Sequence, residues 1–163
     1  MRWLALVSVL GGAACGGEGG DTTIDITRDP CAAVPLAPAT EPTELQAGGI
    51  ADAIELWRTH GAPSLGARDG KLRTLEPAVP IHFEEASQVS FGYYDDETGI
   101  VYVNTRITDR RALSIVLAHE LGHVFGLEHV TDRPSLMNPG NYRTLPTAED
   151  QAALEALWGH CSE

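Results

Sequence analysis

Three histidines and a glutamate lie close together in the segment HELGHVFGLEH, residues 119–129. His119 and His123 are four residues apart, so in a helix they share one face, one turn from each other. Two imidazoles in that arrangement can bind one zinc ion, which prefers nitrogen ligands at about 2.0–2.1 Å. Gly126 permits a sharp turn after the helix, so His129 can return as a third ligand. The spacing therefore predicts a metal site.

The number of histidines indicates which kind of metal site this is. Three ligands leave one position of a tetrahedral zinc ion open, as in catalytic sites, whereas structural zinc is usually held by four protein ligands. A water molecule in the open position would be acidified toward a pKa of ~7. Glu120 is rotated off the histidine face, so its carboxylate can take the proton and pass it to a leaving amine. The alternative is that these side chains only face solvent or pack in a core.

The helix that carries this segment is predicted from local signals. Thr108 or Asp109 can cap a helix that begins near Arg110 and stops at Gly126. Hydrophobic periodicity predicts the remaining elements, in chain order: a helix over 49–60, strands over 79–83, 88–94 and 99–105, and a last helix that begins after Pro146 with Thr147 as its cap. The last two strands can form a hairpin. Strands followed by helices indicate an α+β domain.

Length and composition limit the classes of function. The chain has 163 residues and a formal net charge of −12, with 43% hydrophobic and 21% charged residues. These values fit one globular domain, for which we expect a monomer, and argue against disorder or a coiled coil. Nucleic acid and anionic bilayer surfaces would be repelled by the negative charge, so neither is expected as a direct partner.

The N-terminal segment predicts export. Residues 1–14 combine one positive charge, an apolar run too short to span a bilayer and a small-residue end, which is typical of a signal peptide. The end of this segment resembles a bacterial lipoprotein signal, in which Cys15 becomes the acylated first residue; ordinary cleavage after Ala14 is the alternative. Residues 15–43, rich in Gly, Thr, Ala and Pro, read as a tether or a wrapping arm. The catalytic domain is then predicted over 44–163.

If Cys15 takes a lipid, Cys31 and Cys161 are left as a pair. In an oxidising compartment this pair favours a disulfide. The alternative is that Cys31 is a free thiolate that blocks the metal.

HELGHVFGLEH resembles the HExxHxxGxxH signature of the metzincin metallopeptidases. Met137, in the segment SLMNP, resembles the Met-turn residue under the metal in that clan, and Pro139 with the closing segment LPTAEDQAALEALWG is most similar to the matrixin branch. The resemblance implies a zincin-like domain with a small twisted mixed sheet, an active-site helix, a Met-turn and a C-terminal helix. It implies these roles: zinc ligands His119, His123 and His129, general base Glu120, and Met-turn residue Met137.

The same resemblance implies where substrate binds. Pro139 and Tyr142 would line the wall of a specificity pocket, although a tyrosine that packs over a loop is the alternative for Tyr142. The strand over 99–105 would be the sheet edge to which a peptide pairs. Tyr102 and Asn104 share one face of that strand and are candidate substrate contacts, while an ordinary half-buried strand is equally compatible with them.

The chain also departs from the matrixin pattern. No histidine lies between residues 83 and 118, so we expect one zinc ion and not a second, structural one. Asp95, Asp96 and Glu97 could bind calcium, but a solvated turn is favoured because three consecutive acids match no calcium loop. The residues that flank the inhibitory cysteine of matrixin pro-segments are missing around Cys31.

Together these observations predict an exported, zinc-dependent endopeptidase that acts on peptides or proteins. Its expected place is the bacterial cell envelope, as a lipoprotein of the outer membrane that touches the bilayer only through its lipid, or the medium after secretion. The alternative is a zinc-holding surface module that binds peptides without turnover, which would need neither Glu120 nor an open coordination position.

Overall fold

Seven helices and strands form the part of the chain that the computed structural model describes, residues 23–67, 74–86 and 90–161. In chain order they are β1 (Leu36–Pro38), α1 (Glu44–Arg58), β2 (Val79–Glu84), β3 (Gly92–Asp95), β4 (Ile100–Asn104), α2 (Arg110–Val124) and α3 (Ala148–Trp158). The predicted signal peptide and Cys15 lie outside the described residues. Within those residues, no helix has both the length and the apolar character needed to cross a bilayer.

The four strands form one mixed sheet in the order β1-β2-β4-β3. The pairs β1–β2 and β2–β4 are parallel, whereas β3 and β4 are antiparallel and form the expected hairpin. The prediction that the strand over 99–105 is a sheet edge is wrong, because β4 lies between β2 and β3. A parallel pairing with β2 puts β4 inside the sheet, and the two edge strands are β1 and β3.

All three helices begin at a capping residue. Thr43 caps α1 and Thr147 caps α3, each in a reciprocal capping box, with Gln46 and Asp150 respectively. Asp109 caps α2 by accepting a hydrogen bond from the backbone N–H of Ala112. The predicted helices are confirmed, but α1 begins earlier than the apolar periodicity indicated because its cap lies at Thr43.

Helix α2 is the most buried element of the fold. It packs against α1 on one side and against β3 and β4 on another. Trp57 of α1 is fully buried, donates a hydrogen bond of 2.7 Å from Nε1 to the carbonyl of Ala118, and packs edge-on against Phe125 with ring centroids 5.6 Å apart. A buried indole needs a hydrogen-bond acceptor for its N–H. Because Trp57 finds this acceptor on α2, the hydrogen bond fixes the position of α1 relative to α2.

The segment before α1 wraps around the domain. Ala33 and Val34 are buried, and the backbone N–H of Arg28 donates to the carbonyl of Val124 at the end of α2, at 2.8 Å. The hydroxyl of Tyr94 donates to the carbonyl of Ile26 at 2.6 Å. The described part of this segment is therefore a wrapping arm and not a tether. Packed structure begins before the predicted boundary at residue 44.

Cys31 and Cys161 form a disulfide, with their Cα atoms 5.0 Å apart and a sequence separation of 130. The predicted pairing is confirmed, and Cys31 is not a free thiolate over the metal site. The disulfide fastens the wrapping arm to the residues that follow α3. In the chain-entropy model, closing a loop of this length stabilises the fold by about 5 kcal/mol, before any strain is subtracted.

We expect the double variant Cys31→Ser/Cys161→Ser to be less stable by about 2–5 kcal/mol, because its unfolded chain regains the entropy of the open loop. Thermal unfolding followed by circular dichroism should show a midpoint lower by roughly 4–20 °C. Reduction of the wild-type protein should lower its midpoint to the same value, and Cys15→Ser is the matched control. A double variant that melts at the wild-type temperature would contradict this account.

Candidate metal centre

The three histidines of the motif converge on one point. Their metal-ligating nitrogens all lie within 4.8 Å of one another, in the only such cluster of three among the residues that the structure describes. His119 is 3% exposed, His123 is half-buried and His129 is exposed. The three histidines therefore lie as the spacing predicts, with two on a helix and a third on the returning chain.

Two backbone carbonyls orient the helical histidines. Nδ1 of His119 lies 2.7 Å from the carbonyl oxygen of Leu136, and Nδ1 of His123 lies 2.7 Å from that of Leu127. A carbonyl only accepts hydrogen bonds, so Nδ1 carries the proton in both rings and Nε2 keeps its lone pair. Nε2 of His119 lies 3.2 Å from Nε2 of His129. Ring nitrogens that approach in this way suit a shared cation.

A tight turn after α2 supplies one of these carbonyls. Gly126 has φ of +89°, its N–H donates to the carbonyl of His123, and the N–H of Leu127 donates to that of Gly122. This is the Schellman pattern of helix ends, in which glycine takes the left-handed conformation. The turn therefore both brings back His129 and positions the carbonyl that holds His123.

The turn that contains Met137 supports the centre from below. Met137 is fully buried, and a Cβ atom added at Gly122 would overlap its sulfur. Only glycine at this position of α2 lets the turn approach the helix so closely. Met137 therefore lies against the helix that carries His119 and His123, where it was predicted to lie.

Asp150 fixes this turn, a role that sequence analysis did not assign. Its buried carboxylate accepts hydrogen bonds from the backbone N–H of Leu136, at 2.9 Å, and from the hydroxyl of Ser135. Ser135 in turn accepts from the N–H of Met137. Since Leu136 also offers the carbonyl to His119, Asp150 holds that histidine through one residue. The capping box at Thr147 was the available signal, because it places the carboxylate at the start of α3.

Glu120 follows His119 on α2, lines the same small cavity as this histidine and is almost completely buried, at 3% exposed. Burial raises the pKa of its carboxyl to about 8, and a hydrogen bond from the backbone N–H of Tyr94 offsets part of that shift. Its Oε2 is buried and has no hydrogen-bond partner. A buried carboxylate oxygen without a partner is costly unless a proton donor or a cation faces it. The residues present therefore fit a zinc ion with a bound water.

Burial favours the neutral form of the three imidazoles. Burial lowers the pKa of His119 to about 4 and that of His123 to about 3, and it also lowers the pKa of His129. Metal binding needs the neutral imidazole. In the folded protein, protons therefore compete with the metal at His119 and His123 only near or below those pKa values.

This neutrality has a measurable consequence for zinc affinity. Three imidazoles of ordinary pKa would lose roughly 500-fold in affinity between pH 7.0 and 5.5 through proton competition. Here we expect a loss below about tenfold, because burial keeps His119 and His123 neutral in that range and also lowers the pKa of His129. Competition with a chromophoric chelator at both pH values measures this, with a three-histidine peptide as control. A loss of several hundred-fold would contradict the buried arrangement.

Two of the predicted substrate contacts lie on β4, the interior strand. Tyr102 stacks on Tyr93 of β3, with ring centroids 4.6 Å apart, on the sheet face opposite the buried Val101 and Val103. Asn104 is buried, and its side-chain amide donates to the carbonyl of Ser90 at 2.7 Å. Contact of Tyr102 and Asn104 with a peptide stays a prediction, and the position of β4 does not favour it.

The other two predicted contacts follow the Met137 turn. Pro139 is exposed. Tyr142 packs against Phe91, with ring centroids 4.9 Å apart. Phe91 lines a small cavity that also borders His119 and Glu120. Pro139 and Tyr142 thus lie in the loop next to this cavity, and their contact with substrate stays a prediction.

A histidine pair on a buried helix, a third histidine after a glycine turn and a methionine turn beneath them define a zinc metallopeptidase of the metzincin type. The matrixin family model matches residues 36–159, and the chain belongs to the matrixin family, whose members are zinc-dependent metalloendopeptidases that act on peptides or proteins. The matched range includes β1, in agreement with packed structure before residue 44.

A solved structure shares the fold. The crystal structure of myroilysin matches with a TM-score of 0.55 and 10% sequence identity, covering 82% of this chain and 86% of that chain. No curated protein matches the sequence. The predicted α+β, metzincin-like architecture is confirmed by the family and by this likeness.

Proposed function

We propose that this protein is an exported endopeptidase in which His119, His123 and His129 hold one zinc ion and Glu120 is the general base. The observation that carries the proposal is the buried Oε2 of Glu120, which has no hydrogen-bond partner; Glu120 lines the same small cavity as His119, one of the three clustered histidines. A module that only held zinc would not need an uncompensated buried carboxylate there. The free-energy cost of burying the Glu120 carboxylate is explained if this group accepts and donates a proton during the reaction.

When bound, zinc supplies a Lewis acid for the peptide carbonyl and lowers the pKa of water toward ~7. Glu120 accepts a proton from the attacking water on Oε2. Burial of Glu120 excludes bulk water, so the carboxylic acid that forms does not lose its proton to solvent. Glu120 then delivers the proton to the nitrogen of the broken bond, which leaves as an amine. The carbonyls of Leu136 and Leu127 keep the imidazoles of His119 and His123 turned toward the ion.

The edge strand β3 is the place where we expect the substrate backbone to bind. In the sheet formed by the described residues, β3 pairs only with β4, so no strand lies on its other side. An extended peptide added there gains main-chain hydrogen bonds. Gly92 of β3 lies directly above the Glu120 carboxylate, since a Cβ at this position would be 3.0 Å from its Oε1. A peptide paired with β3 would thus pass close to the base.

Export and anchoring complete the proposal. The sequence of residues 1–14 supports a signal peptide, and Cys15 supports a lipid anchor in the bacterial envelope. The disulfide between Cys31 and Cys161 agrees with an oxidising compartment. We propose that the enzyme acts there as a monomer.

The test is cleavage of a diverse peptide library by the zinc-loaded full-length protein, with products identified by mass spectrometry. We expect cleavage, its loss after the zinc is removed with a chelator, and its recovery on adding zinc. Peptides that bind but stay uncut would support the binding module and overturn the proposal.

A further inference from the structure

A small cavity borders the site, and its size bears on which peptides can be cut. Its walls come from the base and ligand, Glu120 and His119, from Phe91 and Gly92 at the edge strand, and from Gly140 and Asn141 after the Met137 turn. We call it the side pocket. Its volume is about 20 Å³, which is room for about one water-sized group.

The position of the side pocket indicates which substrate residue enters it. Under the proposed function, Glu120 delivers a proton to the nitrogen released from the broken bond. The residue that owns this nitrogen lies on the carboxyl side of the bond, and its side chain begins only two bonds away. A pocket with Glu120 in its wall is therefore placed for that side chain.

The walls of the side pocket are fixed by contacts within the protein. Asn104 holds the backbone on one side, since its N–H donates to the carbonyl of Phe91 and its side chain to that of Ser90. The ring of Phe91 packs against Tyr142 at 4.9 Å between centroids. Because these rings support each other, enlarging the pocket means breaking packed contacts.

The side chain of Asn141 in the wall is already engaged within the protein. The side-chain amide of Asn141 donates to the carbonyls of Leu136 and Thr144, and its oxygen accepts from the N–H groups of Arg143 and Thr144. Asn141 therefore has no hydrogen-bonding capacity left for a ligand. Under the proposed function the Oε2 of Glu120 takes up the reacting proton, so neither Glu120 nor Asn141 is left to bind a polar side chain, and the pocket suits a small apolar group.

We propose, on the basis of the proposed function, that the side pocket restricts cleavage to bonds followed by a very small residue, alanine above all and glycine next. Phe91 and its partner Tyr142 set this limit. A methyl group fills the space, whereas leucine or phenylalanine would need several more carbon atoms than the pocket admits. Overpacking of a filled site is strongly unfavourable.

The experiment uses the zinc-loaded protein and a peptide series that varies only the residue after the cleaved bond. We expect kcat/KM for alanine to exceed that for leucine by about 10-fold or more. The variant Phe91→Ala removes the ring from the wall, so its ratio of alanine to leucine should fall at least about 10-fold. Tyr93→Ala is the matched control, because this ring stacks on Tyr102 and does not border the side pocket, so its loss should leave the ratio unchanged.

The outcomes distinguish failure of the side-pocket proposal from failure of the proposed function. Cleavage by the wild-type protein with leucine or phenylalanine preferred would overturn the side-pocket proposal and leave the peptidase intact, and so would an unchanged ratio in Phe91→Ala. No cleavage of any peptide would overturn both. If Phe91→Ala does not fold, the residues found at the new N-termini of library products from the wild-type protein decide alone: alanine and glycine support the proposal, and large residues refute it.

Discussion

Replacing Glu120 with glutamine is expected to lower kcat/KM for peptide cleavage by about 10²–10⁴-fold while leaving the zinc content unchanged. The amide has nearly the same shape and stays in the buried position beside His119, but it cannot accept the proton of the attacking water. None of the three histidines is altered. Initial rates on one good substrate, with zinc measured by elemental analysis, provide the test.

The control for this variant is Glu128→Gln, which removes an exposed carboxylate beside His129 and should change the rate less than about twofold. A Glu120→Gln enzyme with more than a tenth of the wild-type activity would show that another group serves as base. Loss of zinc from the variant would instead assign Glu120 to holding the metal centre together.

The same substitution has an expected effect on stability that does not depend on activity. In the metal-free protein the pKa of Glu120 rises from 4.5 to about 8 on folding, because of burial. The folded state therefore binds more protons than the unfolded state between these values, and stability falls as pH rises through that window. Glutamine does not titrate. The free energy of unfolding of Glu120→Gln, relative to that of wild type, should therefore increase between pH 4.5 and 8 and stay constant above pH 8. Urea unfolding at pH 5, 7 and 9 measures the difference.

The second large effect is expected at Asp150. Its carboxylate accepts from the N–H groups of Leu136 and Thr147 and from the hydroxyl of Ser135, all within the fold. Asp150→Ala would leave these buried donors without an acceptor, which we expect to cost about 3–5 kcal/mol of the free energy of unfolding. Chemical denaturation of the zinc-free protein gives this number directly.

Asp150 is also expected to act on the metal. The carbonyl of Leu136, which orients His119, loses its anchor when the N–H of the same residue is released. Zinc affinity of Asp150→Ala should therefore fall by about 10–100-fold, the effect seen when groups that orient metal ligands are removed. Asp150→Asn, which keeps one acceptor oxygen, should be intermediate in both measurements. Glu149→Ala, an exposed acid on the same helix, is the control, and equal zinc affinity of Asp150→Ala and wild type would refute the link.

The metal centre was predictable because its determinants are local. The spacing of His119 and His123 fixes a shared helix face, and Gly126 fixes the turn that returns His129. The same holds for the helices, whose caps at Asp109 and Thr147 could be read directly. Such features depend on residues a few positions apart.

What could not be predicted depends on contacts between distant residues. Strand β1 has only three residues in a stretch rich in alanine and proline, and it becomes a strand only by pairing with β2, more than 40 positions along the chain. The order of the strands also depends on contacts between distant residues, which is why the prediction that β4 is an edge strand was wrong. The link from Asp150 to His119 passes through a backbone group, and hydrophobic patterns contain no information about it.

The disulfide between Cys31 and Cys161 closes the chain between these two residues into a covalent loop. Every residue of the sheet, the three histidines, Glu120 and Asp150 lies between Cys31 and Cys161. A single break in any backbone bond between these cysteines leaves the two fragments joined. An enzyme that cuts peptides, and that meets other peptidases or its own copies, can thus be nicked once without shedding part of its active site.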